Sequence, residues 1–168
     1  MPKARKSWRE KLADDRDLPR SITLGAAAAA RWGGTTMTIA APREVDALMR
    51  AVPRGQVTTI NELRSALARK HRTDTTCPIT TGIFSWIAAH AAAEGEAAGE
   101  KRTTPYWRTL KAGGELNPKY PGGITGVRRK LAAEGHAFEK RGQRTFVRDF
   151  EASLHRPKPA AARAHAAA

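Results

Sequence analysis

The sequence holds one cysteine, Cys77, in 168 residues. A single thiol excludes an intrachain disulfide and a zinc site built from several cysteines. A reducing compartment, the cytoplasm, is expected. Aromatics are scarce, at 6%, so a place where they gather needs a reason. Acids are outnumbered, with 16 Asp and Glu against 30 Lys and Arg, for a formal net charge of +14. No apolar run reaches the roughly 18 residues of a membrane-spanning helix. The opening, MPKARKSWREKLADDRD, has charge but no apolar stretch behind it, so it does not read as a secretory signal. His136, His155 and His165 lack metal-ligand spacing, so neither a metal nor a cofactor is expected.

What is present is positive charge, unevenly placed. Between Lys101 and Arg148, twelve Lys or Arg stand against three Glu. Such an excess is a footprint for polyanions, nucleic acid before acidic membrane. With 40% hydrophobic residues, the middle of the chain can bury a core, and the length suits one domain with tails. The expected division is an N-terminal arm with a short helix and strand (1–40), a compact domain (41–150) and a basic, Ala/Pro-rich, disordered tail (151–168).

Pattern supplies the elements. GAAAAARWGG reads as a short helical turn and TTMTIA as a strand. APREVDALMRAV carries Pro42 in a first-turn position and Val45, Leu48, Met49 and Val52 on one side. Thr59, three residues before Glu62, has the spacing of a helix cap. Ile60, Leu63 and Leu67 then line one stripe, and HRTDTTC follows as a polar loop. Pro78 opens a third helix, with Ile79, Ile83, Trp86, Ile87 and His90 as its apolar side. Thr81, Ser85, Ala88 and Ala92 form a small-residue face, expected to point outward, where it could slide along a narrow groove. Residues 94–104 read as a flexible loop, and a hairpin is expected around Gly113-Gly114. ITGVRRKLAAEGH is a fourth helix, stopped at Gly135, and AFEKRGQRTFVRDF is a hairpin turning at Arg141-Gly142. The predicted fold is mostly α with small β elements (α+β), in the order of a winged helix-turn-helix.

Four segments then stand out in order: VPRGQVTTINEL, CPITTGIFSWIAAH, PYWRTL and KYPGGITGVRRKLAAEGH. Together, over roughly residues 42–138, they resemble the DNA-binding domain of the alkylguanine-DNA alkyltransferases. On that resemblance the family's acceptor cysteine falls on Tyr106 and its partner histidine on Trp107. A phenol with an ordinary pKa near 10 and no histidine beside it is a poor alkyl acceptor. The resemblance is therefore to the alkyltransferase-like proteins, which lack the acceptor, hold an extruded alkylated guanine and pass it to other repair proteins. It implies a base pocket of Pro105, Tyr106, Trp107, Arg108, Tyr120, Pro121, Gly122, Gly123 and Glu134. It also implies a minor-groove helix presenting Thr80, Thr81, Gly82 and Ser85. Expected phosphate contacts are Arg54, Thr58, Thr59, Arg128, Arg129, Lys130, Lys140, Arg141 and Arg144. The implied partner is double-stranded DNA with alkylated guanine, bound by a monomer associated with the nucleoid.

Two positions depart from the family. The arginine that its members insert into the base stack falls on Gly82, and a tyrosine that helps to rotate the phosphate falls on Ile60. Those departures favour an alternative, a general or regulatory DNA binder without lesion specificity. A third reading is an alkyltransferase that uses Cys77, at a helix N-terminus, as acceptor.

Overall fold

Capping chemistry fixes where the helices begin. In the computed structural model, which describes residues 1–158, α1 (Trp8–Ala13) starts at Ser7. The Ser7 hydroxyl accepts the Glu10 N–H while the Glu10 carboxylate accepts the Ser7 N–H. β1 (Arg20–Thr23) and β2 (Thr36–Ile39) pair antiparallel, and α2 (Ala26–Trp32) between them ends at left-handed Gly33. α3 (Pro42–Arg50) has Pro42 in its first turn, and the Glu44 carboxylate accepts the Ala41 N–H at 3.0 Å. β3 (Thr58–Thr59) leads into α4 (Ile60–His71), where the Thr59 hydroxyl accepts the Glu62 N–H as the spacing predicted.

The polar loop after α4 contains a strand that the pattern does not reveal. β4 (Thr75–Thr76) adds to β2 in parallel, giving the sheet order β1-β2-β4. Asp74 fixes it in place, accepting from the N–H and hydroxyl of both Thr35 and Thr36. These bonds, the Thr35 amide foremost, hold its carboxyl below the ordinary value. α5 (Pro78–Ala97) follows, longer than expected, so only residues 98–104 connect it onward. That connection is tied down: Thr104 is buried and donates to Asp46 at 2.6 Å.

β5 (Thr109–Leu110) corrects the expected hairpin at Gly113-Gly114. It pairs in parallel with β3, not with the segment that follows it. The glycines form a single tight turn closed by the Lys111 N–H donating to the Glu115 carbonyl at 2.8 Å. α6 (Gly123–Ala133) then leads to the hairpin of β6 (Phe138–Arg141) and β7 (Arg144–Val147), whose turn is Gly142-Gln143. Gly122 and Gly123 both have positive φ, and a Cβ on Gly122 would stand 3.2 Å from the Gly126 Cα. The Gly-Gly pair is thus a backbone requirement of this helix start.

The expected tail is partly docked. After a 3-10 turn (Phe150–Ser153), Leu154 bridges Val57, the His155 N–H donates to the Val57 carbonyl at 2.7 Å, and Arg69 donates to the Pro157 carbonyl. The disorder expected of 159–168 lies outside the described residues. The arm also docks: α1 packs on α5, with the Trp8 ring stacked on His90 at 4.6 Å and edge-on to Trp86 at 4.7 Å.

The main correction concerns the faces of α5. Thr81, Ser85, Ala88 and Ala92 are buried, whereas Ile79 and Ile83 are 62% and 46% exposed. α5 crosses α3 and α4, and small side chains let helix axes approach closely. Its hydroxyls need no outside partner: Thr81 donates to the Cys77 carbonyl at 2.7 Å and Ser85 to the Gly82 carbonyl at 2.8 Å. Their burial leaves no polar group unmatched. Val45, Leu48 and Met49 of α3, Leu63 and Leu67 of α4, and Leu110, Leu116, Val127, Leu131 and Val147 complete the core.

Candidate nucleic-acid interface

The aromatic cluster of the sequence is a packing unit. Tyr106 and Tyr120 are each about 3% exposed and belong to the core, with ring centroids 6.0 Å apart and nearly perpendicular. Trp107 meets Tyr106 edge-on at 5.3 Å. Burial pushes the Tyr106 hydroxyl above its ordinary pKa, with Glu96 adding to the shift. Burial likewise raises Tyr120 to about 12, although hydrogen bonds to Ser85 and Asn117 oppose it. Of the residues expected to wall a base pocket, these two tyrosines are buried in the core and present no exposed ring face.

Behind them lies a buried ionic knot. Arg108 pairs with Glu134 through Nη2, and its Nε donates to the same carboxylate at 2.9 Å. Its Nη1 donates to the Val52 carbonyl at 2.7 Å. The Trp107 indole N–H donates to Glu134 at 3.2 Å. Their side chains are 13% and 3% exposed for Arg108 and Glu134. Pro105 is buried beside this knot and Pro121 half-buried at the start of α6. Pro105, Trp107 and Arg108 also line a depression of about 490 Å³ whose other wall carries Glu96, Glu100, Lys101 and Arg102, so acids and bases are mixed there. The Trp107 ring is half-buried and covered by Lys130, whose Nζ stands 4.5 Å from the centroid.

Among the phosphate candidates, Thr58 and Thr59 are corrected. Both are buried, and the Thr59 hydroxyl is spent on capping α4. Arg54 is exposed and donates to the Ala133 carbonyl at 3.3 Å. Arg141 pairs with Glu139 at 2.5 Å, and Arg144 pairs with Glu115 at 2.6 Å. Arg128, Arg129, Lys130 and Lys140 have no carboxylate partner among the described residues. Three of them, Arg128, Arg129 and Lys140, line one depression of about 540 Å³ between α6 and the β6–β7 hairpin. Thr125, Gln143 and Thr145 add neutral polar groups there, over Ile124 and Ala132.

A second depression, of about 780 Å³, lies on the outer face of α5. Ile79, Gly82, Ile83, Trp86 and His90 form one wall, and Lys111, Asn117, Pro118 and Lys119 the other. The two depressions flank one segment: Asn117–Lys119 line the second, while the Leu116 N–H donates at 2.9 Å to the carbonyl of Thr145, which lines the first. No carboxylate lines either. Of the four residues expected on the groove-facing helix surface, Gly82 lies here. Thr80 is half-buried, and Thr81 and Ser85 point inward. Ile79, Ile83, Lys111 and Lys119 were missed. The i, i+4 isoleucines were visible, but periodicity alone does not say which of two uncharged faces is buried.

Fold and surface together define a small, strongly cationic α+β protein with a helix pair, a basic hairpin and two acid-free depressions. No protein-family model and no curated protein matches the chain. Among solved structures it is similar to S. pombe Atl1, described in complex with damaged DNA containing O6-carboxymethylguanine. The two are 16% identical, the match covers 69% of this chain and 94% of that one, and the TM-score is 0.49. At this identity and score the likeness describes the course of the chain and assigns no residue a role.

Proposed function

We propose that this protein binds duplex DNA without catalysing a reaction on it, and that it recognises an alkylated, extruded guanine from the minor groove. The observation that carries the reading is the pair of acid-free depressions flanking Leu116–Lys119, with Arg128, Arg129 and Lys140 in one and Lys111 and Lys119 in the other. Of these, Arg128, Arg129, Lys140 and Lys119 have no carboxylate partner among the described residues, while Lys111 lies 3.5 Å from Glu115; unpartnered cations are available to phosphates, and phosphate contacts dominate affinity for duplex DNA. The cavity beside α5 supports the base-recognition part. Its volume lies within the usual range of small-ligand sites, about 300–1,000 Å³. It offers Trp86 and Pro118 as apolar surface. The absence of catalysis is supported at Tyr106, the position where the family resemblance puts the acceptor: its phenol is buried and harder to ionise than usual.

A titration by fluorescence anisotropy tests this. Matched duplexes with guanine or O6-alkylguanine at one site are compared at two salt concentrations, and the DNA is then analysed for the alkyl group. Tighter binding to the lesion with the alkyl group retained is expected. Loss of the alkyl group would point to Cys77, which is partly buried at the cap of α5. Equal, salt-dependent binding to both duplexes would favour the second reading, a general DNA binder. The burial of Tyr106 and Tyr120 supports that second reading, since neither ring is open to stack on a base.

A further inference from the structure

We infer that residues 2–6, PKARK, form a basic arm that runs along the bound duplex beyond the α5 depression, with Lys3 and Arg5 on its phosphates. The inference rests on the proposed DNA binding and extends the interface to a part of the chain outside the core. Charge sets these two residues apart. The cations that follow them answer to acids: Lys6 to Asp14 at 2.6 Å, Arg9 to Glu94 at 3.6 Å and to Glu100, and Arg20 to Asp17 at 3.5 Å. Lys11 lies over the Trp8 ring, 4.0 Å from its centroid. Lys3 and Arg5 are exposed and have no carboxylate partner among the described residues. No acid precedes Glu10, and no residue before Trp8 is in a helix or strand. In an extended chain, residues two apart point to the same side, so Lys3 and Arg5 can face one DNA strand together.

The point from which the arm leaves is fixed. α1 contains no fully buried residue, yet its first turn is held in three ways. Ser7 and Glu10 close the capping box. The Glu94 carboxylate accepts the N–H of Trp8 at 2.9 Å and of Arg9 at 3.4 Å. The Trp8 ring is stacked on His90 and set edge-on to Trp86. Trp86 and His90 both line the α5 depression, and His90 reaches the carbonyl of Lys119, a cation of its other wall, at 3.2 Å. The arm therefore starts at the wall of that depression. Five extended residues span about 17 Å, the rise of about five base pairs. A pinned origin also reduces the ordering cost of each contact that the arm makes. An acidic membrane would meet the same charge, but between Met1 and Trp8 the arm has no large apolar side chain to insert. A row of phosphates needs only charge and reach.

The test uses the full chain and a duplex of about 20 base pairs, two helical turns. Anisotropy titrations at about 50 and 200 mM salt give the log–log slope. Wild type is compared with Lys3→Ala/Arg5→Ala and with a charge-matched control, Lys101→Ala/Arg102→Ala, whose cations stand beside Glu96 and Glu100. The arm variant should lose about two from the slope, so that its deficit at the lower salt shrinks about tenfold at the higher. The loss should be the same on normal and alkylated duplexes, with the melting temperature unchanged. The control should keep the wild-type slope. A wild-type slope in the arm variant overturns the arm and leaves the DNA-binding reading standing. Equal losses in the arm variant and the control also overturn it, because net charge alone then accounts for them. Failure of the wild type to bind any duplex at low salt overturns both readings.

Discussion

At the scale of residues, the knot around Glu134 governs stability more than recognition. Arg108 is held by the Glu134 carboxylate and the Val52 carbonyl in a nearly dry setting. Glu134→Ala strands that guanidinium, and removing one partner of a buried pair costs about 3 kcal/mol or more. Urea unfolding should show the midpoint falling with an unchanged slope. Tyr106→Ala should behave similarly, losing about 3–5 kcal/mol as a large aromatic leaves the core. Any DNA-binding defect in that variant would have to be read after correcting for the unfolded fraction. The family motif around residues 105–108 was legible in the sequence. That its tyrosine lies inside the core was not, because burial depends on which elements close over it.

At the scale of elements, α5 offers a direct contrast between its faces. Ser85→Leu forces an isobutyl group into the fully buried space beside Tyr120, which should destabilise by about 1–3 kcal/mol. Ile83→Ser, two residues away, should stay within about 0.5 kcal/mol of wild type because its side chain faces water. Thermal unfolding distinguishes the two, and a reversed order would restore the outward small-residue face. The docking of α1 gives a pH prediction. The Glu94 carboxylate accepts the N–H of Trp8 at 2.9 Å and of Arg9 at 3.4 Å, at the positive end of that helix. Those bonds, the Trp8 amide foremost, hold its pKa below the ordinary 4.5. A carboxyl whose folded pKa is lowered contributes in full above its unfolded value, and that contribution fades as pH falls through the folded one. The Trp8 fluorescence should therefore be constant near neutrality and change below about pH 4.5, once α1 loosens from Trp86. In Glu94→Gln this acid transition should be absent, with α1 looser throughout.

At the scale of the whole molecule, the charge of +14 predicts affinity that falls steeply with salt. Arg128→Ala and Lys140→Ala, both exposed in the α6–hairpin depression, should each lower the log–log salt slope by about one and weaken all duplexes alike. A plot of log Kd against log salt for normal and alkylated duplexes checks this. If either change removed lesion preference instead, the assignment of that depression to phosphates would be wrong. The remaining basic residues of the hairpin should matter less, because Arg141 and Arg144 already answer to Glu139 and Glu115.

The sequence by itself determined the quantities that are local or additive: the net charge, the helix starts at Thr59 and Pro78, the glycine-bound start of α6 and the hairpin of basic residues. Each depends on neighbours within a few positions, so composition and spacing suffice. Only the tertiary structure decided the remainder. It paired β4 with β2 and β5 with β3 across long stretches of chain, docked the arm and the segment 154–158, and turned α5 so that Thr81 and Ser85 face the core while Ile79 and Ile83 face out. Both faces of that helix are uncharged, and the choice between them is made by the distance at which α3 and α4 can pack against it. That distance is a property of three helices at once, and no single stretch of the sequence contains it.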